Sequence, residues 1–279
     1  MFRKVERDLL RLAANQEPES VHGFRTTTRR FQTLIEEILP ERNRNQKKLL
    51  KLLGTIRKRA GRVRDLDVQL AALRSLKIPQ EPRRKTQLTS RMIELRAQHE
   101  KKLRKELGLD DVKDIRKRLK RAAKEIDFNA GNSPLVVARD ILDRVQHSGS
   151  QITEDVLHQY RILVKRARYA AEFAADSAEA RRFIAQLKKL QDAVGNWHDW
   201  LTLTETAGDR FGDIRQSPLV AALHNVTGAK FRQAVAAISA APAMASKHKA
   251  ASPIATPATL STPKSATNPQ PASQTDSAA

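Results

Sequence analysis

Cysteine is absent from the 279 residues, which excludes a disulfide framework, a thiolate metal site and a cysteine nucleophile, and fits a reducing compartment. Aromatic residues make up 4% of the chain, with two Trp and two Tyr, too few rings for the stacking platforms on which proteins hold single-stranded nucleic acid. No apolar run approaches the roughly 20 residues of a membrane-spanning helix. Met1 to Asp8 are charged rather than carrying the apolar stretch of a signal peptide, so the expectation is a soluble, cytoplasmic protein without membrane insertion. Phosphate-cradling loops are missing too: Gly54 and Gly61 do not form a Walker A loop, and no Gly-Lys-Ser/Thr follows a strand. No Ser/His/Asp trio stands out in the residue order. No catalytic residue, metal site or cofactor is therefore expected, and binding is expected in place of an enzyme activity.

Acidic residues are in deficit. Lys and Arg number 52 against 31 Asp and Glu, a formal net charge of +21. A field of this size repels itself unless counterions or polyanions neutralise it. Its natural partners are nucleic acid, inorganic polyphosphate or an anionic membrane, and the field by itself does not choose among them.

Before residue 240 nearly every segment has helical periodicity and none alternates as a strand does. A short helix carries Leu9, Leu10 and Leu12 and stops before Pro18. Ser20 is placed to cap a second, with Phe24, Phe31, Leu34, Ile35 and Ile38 on its apolar side and Pro40 at its end. A long helix is expected over about 43–76, a fourth over 83–107, and a charged connecting helix over 110–126. Gly108 marks a boundary between halves at about 1–108 and 109–239. After the turn at 131–134, with Ser133 as cap and Pro134 at the first helical position, helices are expected over 135–145, 154–175, 178–206 and 218–238. Residues 240–279 are rich in Ala, Pro, Ser and Thr with few large apolar side chains. They cannot bury enough surface to offset ordering entropy, so a disordered tail is expected.

One stretch occurs twice. Val21-His22-Gly23-Phe24-Arg25, followed by Arg29 and Arg30, returns 136 residues later as Leu157-His158-Gln159-Tyr160-Arg161, followed by Lys165 and Arg166. Positions 0, 3, 7 and 10 of a helix share a stripe. His22, Arg25 and Arg29 therefore line one face in the first copy, and His158, Arg161, Lys165 and Arg168 line one in the second. A second pair of landmarks lies 134 apart: Gly61 with Gly195, and Asp65 with Asp199. Two landmarks with nearly equal offsets point to an internal duplication.

These residues resemble the conserved histidine α-helical domain (CHAD) family. The family pattern runs apolar residue, His, two residues, Arg, then a pair of bases, and downstream a Gly followed by Arg-Asp-x-Asp. His22, Arg25, Arg29 and Arg30 fit the first segment, and Gly61, Arg64, Asp65 and Asp67 the downstream one. His158, Arg161, Lys165, Arg166 and Arg168 fit in the second half, followed by Gly195 to Asp199. The resemblance implies an all-α domain over residues 1–239, built of two four-helix bundles related by a pseudo-twofold axis. It also implies a basic surface, lined by the cations just named, that binds inorganic polyphosphate and targets polyphosphate granules. Two departures stand out: Gln32 replaces a usual base, and His198 stands where the first copy has Arg64.

Polyphosphate suits such a surface because a chain of anions with no base to read is matched by a rigid line of donors, with Arg forks bridging two oxygens. The bland alternative for the stripes is a solvated helix face, against which their recurrence argues. Arg30 and Arg166, one step round the helix, are equally suited to snorkel over the bundle edge. His22 and His158 have no second ligand at i+4 as a zinc helix would offer, so a hydrogen bond to phosphate or carboxylate is expected of them. Asp65 and Asp67 point to different helix sides and cannot grip one ion. Together with Asp199 they are expected to orient basic residues. Gly61 and Gly195 each cost a helix about 1 kcal/mol relative to Ala, with close helix packing as the expected compensation. Nucleic acid is the second choice of partner, and a phosphohydrolase or metal-dependent enzyme the third reading.

Overall fold

The structure is a computed structural model that describes residues 1–39, 41–127, 131–144 and 152–240. Among these residues it is all helical, with no strand. The helices are α1 (Phe2–Ala14), α2 (Pro18–Thr33), α3 (Arg44–Ser75), α4 (Pro82–Lys105), α5 (Leu109–Glu125), α6 (Pro134–Asp143), α7 (Glu154–Ala171), α8 (Ala178–Phe211) and α9 (Pro218–Ser239). A π-helical turn, Leu34–Ile38, extends α2, and a 3₁₀ turn, Glu172–Ala174, extends α7. None of these helices is long and apolar enough to cross a membrane. The expected tail lies, apart from Ala240, outside the described residues, as do Pro40 and Val145.

Local chemistry explains the helix starts. Asn43 and Gln46 form a capping box at α3: Gln46 N–H donates to Asn43 Oδ1 at 2.9 Å, and Asn43 N–H donates to Gln46 Oε1 at 3.2 Å. Ser177 Oγ accepts from the Ala180 amide at 3.0 Å to open α8. Proline, whose missing N–H is harmless in the first turn, begins α2, α4, α6 and α9. Ser20 is not the cap of α2. The helix starts at Pro18 behind Glu17, and the Ser20 hydroxyl, already inside the first turn, donates to Asn15 Oδ1 at 2.7 Å. At the other end α8 runs past the expected Thr206 to Phe211 and stops at Gly212, whose φ of 82° favours a residue without a side chain.

The order of packing repeats along the chain. α1 lies on α2, α2 on α3 and α3 on α4, and likewise α6 lies on α7, α7 on α8 and α8 on α9. Across the middle α2 meets α7 and α3 meets α8. The apolar interior does not divide into one core per half. One cluster joins α1, α2, the first half of α3 and α5, around Phe24, Phe31, Leu49 and Ile115. A second joins α6, α7, the first half of α8 and the end of α9, around Trp197. A third is shared by both halves: Leu66, Leu70 and Leu73 of α3, Leu88 and Met92 of α4, Leu203 of α8, and Leu219 and Leu223 of α9. At about 1.5 to 3 kcal/mol for each large side chain taken fully out of water, this shared cluster couples the halves strongly. Glu81 reinforces it, its Oε2 accepting from Ser217 Oγ at 2.7 Å and from the Leu219 amide at 2.9 Å at the start of α9. α5, assigned from sequence to the second half, packs on α1 and α3 and so belongs with the first cluster.

Candidate functional site

The meeting of α2 with α7 and of α3 with α8 turns the two basic stripes toward each other. The Arg25 guanidinium lies over the backbone of Gly61, where a Cβ would sit 2.2 Å from Arg25 Nη1. Gly61 is thus a slot for a side chain rather than a point of close helix packing. At Gly195 a Cβ would meet nothing within 4 Å, so the packing expectation fails there as well. Asp65 Oδ1 lies 3.6 Å from Arg25 Nη2 and holds it from the solvent side. Burial, with Arg29, Arg161 and Arg64 close by, makes the Arg25 charge harder to hold, and Asp65 opposes this.

From α7, Arg161 and Lys165 face the same space. Burial lowers the Arg161 pKa, Asp199 and Asp65 oppose the shift, and Arg29 adds to it. The Lys165 amine is pushed down to about 7, first by burial and then by Arg161 and Arg29, with Asp199 opposing. Asp199 itself is raised by burial, while Arg161, Lys165 and Arg64 pull it down and Asp65 adds to the rise. Arg29, Arg64, Arg161 and Lys165 form no ion pair among the described residues, and Arg161 Nε is buried without a hydrogen-bond partner. A buried donor on a cation, left unpaired, costs about 1 to 3 kcal/mol or more, a penalty that an anion in this space would remove.

The histidines stand at the rim of the same centre. His198, in the place that Arg64 occupies in the first copy, packs its ring edge on His158 with centroids 5.5 Å apart. Burial, then Arg161, His158 and Lys165, depress it to about 4, so it is neutral at physiological pH. Its Nδ1 is buried without a partner. His22 is exposed as a whole, but partial burial of its ring, then Arg64, Arg25 and Arg30, lowers its pKa.

The centre contains a residue that sequence reading missed. Arg57 of α3 donates through Nη1 to Gln32 Oε1, and its pKa is lowered to about 10, first by burial and then by Arg29. In the second half Arg168 Nε donates to Gln191 Oε1 at 2.7 Å. By the repeat offsets Gln32 corresponds to Arg168 and Arg57 to Gln191, so the two copies carry the same Arg–Gln pair with its members exchanged. The apparent loss of a base at Gln32 is compensated from the neighbouring helix.

Other candidates are engaged elsewhere. Arg30 Nε lies 2.5 Å from Glu172 Oε2 and its Nη2 donates to Glu172 Oε1 at 3.1 Å, while Arg166 Nη2 pairs with Glu37. Each bridge crosses from one half to the other. Arg168 also donates to Glu172, and both Arg30 and Arg168 stack on Tyr169, at 5.7 and 4.9 Å from its ring centroid. Asp67 is turned toward α4: its Oδ1 accepts from Arg96 Nε at 2.6 Å, and Arg96 also binds Glu100 and the Gln16 carbonyl. It orients an arginine, as expected, but one outside the stripes, because a step of two residues on a helix turns it away from Asp65. Among the described residues no group of three or more His, Asp and Glu is placed to hold a metal ion.

Solved structures share this fold. The CHAD domain from the plant Ricinus communis aligns with a TM-score of 0.56 at 17% identity, covering 84% of this chain and 83% of its own. PptA from Streptomyces chartreusis aligns with a TM-score of 0.59 at 16% identity, covering 86% of this chain and 94% of its own. A search of curated protein sequences gives no match. The sequence model of the CHAD domain matches residues 1–208, a span that holds α1 to α7, most of α8 and every residue of the centre, and the chain belongs to the CHAD-domain family.

Proposed function

We propose that this protein binds inorganic polyphosphate in the centre between α2, α3, α7 and α8, as a receptor without chemistry of its own. The observation that supports this most is the gathering of Arg25, Arg29, Arg57, Arg161 and Lys165 from both halves around three carboxylates, Asp65, Asp199 and, beside Arg57, Glu36, with Arg161 Nε left unpartnered. Five cations and three anions leave an excess of charge that a line of phosphates would neutralise, and guanidinium forks suit phosphate oxygens. Gly61 and Asp65 fix Arg25, so little ordering entropy remains to be lost on binding. The same affinity would carry the protein to polyphosphate granules.

The test is a competition titration of long-chain polyphosphate against single- and double-stranded nucleic acid at two salt concentrations. Salt weakens every such complex, with slopes of about −0.7 to −0.9 per phosphate neutralised for nucleic acid. Polyphosphate is expected to win at matched salt by at least about tenfold, or 1.4 kcal/mol. Reversal of Arg29 and Arg161 to Glu is expected to abolish binding while helicity by circular dichroism is retained. Equal affinity for all polyanions would leave a general electrostatic surface in place of a polyphosphate receptor.

A further inference from the structure

The positive charge is not shared between the halves as the centre is. Residues 1–125 hold 35 Lys and Arg against 17 Asp and Glu, whereas residues 126–279 hold 17 against 14. Much of the excess lies on the solvent side of α3. Arg44, Lys48, Lys51, Lys58 and Arg62 follow one another at offsets of 0, 4, 7, 14 and 18, which at about 100° per residue puts them on a single stripe about 27 Å long. Thr55 occupies the remaining position of that stripe, and all six side chains are exposed. On the opposite side Leu49, Leu53, Ile56, Ala60 and Val63 are buried in the first apolar cluster, so the stripe's orientation is dictated by the core. None of its five cations forms an ion pair among the described residues. The second copy acts as an internal control: the matching positions of α8 hold Ala178, Arg182, Ala185, Lys189, Asp192 and Asn196. The stripe is therefore not a by-product of the repeated helix.

We infer that this face of α3 is an outer strip that holds the part of a long polyphosphate chain overhanging the centre, so that the protein distinguishes long polymers from short ones. The inference rests on the polyphosphate reading above. α3 is the helix that presents Arg57, Gly61 and Arg64 to the centre, and Lys58 and Arg62 alternate with them along the same turns. A polymer leaving the centre past α3 meets the strip there and runs toward Arg44 at the helix start. Lysine, a strongly hydrated and mobile point charge, suits loose tracking of an exposed polymer, whereas the buried centre is built mainly of arginine. The strip holds one direction of overhang only, since α8 offers no equivalent.

The experiment uses the full chain at physiological salt, where the Debye length of about 8 Å screens remote charges. Lys48→Glu, Lys51→Glu and Lys58→Glu are combined, and affinity is measured for a short oligophosphate and for long-chain polyphosphate. Long-chain affinity is expected to fall by about tenfold or more and its salt slope to shrink by about 2, for three lost contacts at about 0.7 each; short-chain affinity is expected to stay within about twofold. A charge-matched triple reversal of Lys117, Lys120 and Lys124 on the exposed face of α5 is expected to alter long-chain affinity by no more than about threefold. Unchanged long-chain binding, equal weakening of short and long chains, or an equal loss from the α5 variant would each overturn the strip, the last two by showing a general field. Absence of binding by chains of either length in the unmodified protein would instead remove the polyphosphate reading, and the strip with it.

Discussion

The exchanged pairs Gln32–Arg57 and Arg168–Gln191 show how the basic centre keeps its charge when a motif position changes. Each pair spans two neighbouring helices, so the cation can be rooted on either one and still reach the same space. Arg57→Gln is expected to weaken polyphosphate binding by about 1.5 to 3 kcal/mol, the range for hydrogen bonds to charged groups. Adding Gln32→Arg, which copies the arrangement of the second half, is expected to restore most of the loss, measured by titration alongside a melting curve. A single variant that binds normally would remove Arg57 from the centre. Sequence disclosed the departure at Gln32 but not its remedy. Arg57 sits in the run Arg57-Lys58-Arg59, and these three turn respectively to the centre, to solvent and to Glu106 of the residues following α4. Only the phase set by Leu53, Ile56 and Ala60 hints at which of them turns inward.

Between elements, the crossing of α2 and α7 is held by reciprocal bridges, Arg30 with Glu172 and Arg166 with Glu37. Glu172 serves two arginines, since Arg168 also binds it. Exposed ion pairs contribute little, about 0 to 1 kcal/mol, and the side chains of Arg30 and Glu172 are 25% and 20% exposed, so an intermediate value is reasonable. Glu172→Ala is expected to destabilise the protein by about 1 to 2 kcal/mol, lowering Tm by about 4 °C in calorimetry. Polyphosphate affinity is expected to hold or increase, because Arg30 and Arg168 lose their internal carboxylate. Loss of affinity without loss of stability would show instead that Glu172 positions a ligand-binding arginine. This distinction was open in the sequence, where Arg30 and Arg166 suited both a ligand contact and the bundle edge.

For the molecule as a whole, the crowding of cations links binding to protons. In the free protein burial and the arginines hold the Lys165 amine near pKa 7, well under the roughly 10.4 of a free lysine. A bound polyanion favours the charged form and raises that value. Below about pH 7 the amine is protonated with or without ligand and contributes no pH dependence. Above it, binding takes up as much as one proton, and affinity falls by as much as about tenfold per pH unit until the pKa of the complex is reached. Titration calorimetry at pH 8 in buffers of different ionisation enthalpy is expected to show this uptake, and Lys165→Arg, always charged, is expected to abolish it. An unchanged proton count in that variant would assign the uptake to another group.

The sequence by itself determined that the chain is helical, which face of each helix is apolar, and that a basic stripe recurs in both halves. These follow from interactions three and four residues apart, which periodicity records directly. Helix starts at Asn43, Ser177, Pro134 and Pro218 were legible for the same reason, whereas the start at Pro18 was missed, because at Ser20 a capping side chain one turn too late looks identical in the sequence. Only the tertiary structure decided that the stripes face each other, that α4 and α9 share a core across the halves, and that α5 belongs to the first cluster. It also decided which charges are free. Arg30 and Arg166 are bridged to carboxylates more than a hundred residues away, Asp67 turns to Arg96, and Gly61 opens a slot for Arg25. Partners so distant in the chain leave no periodic trace, because each depends on how whole helices pack and not on the residues beside it.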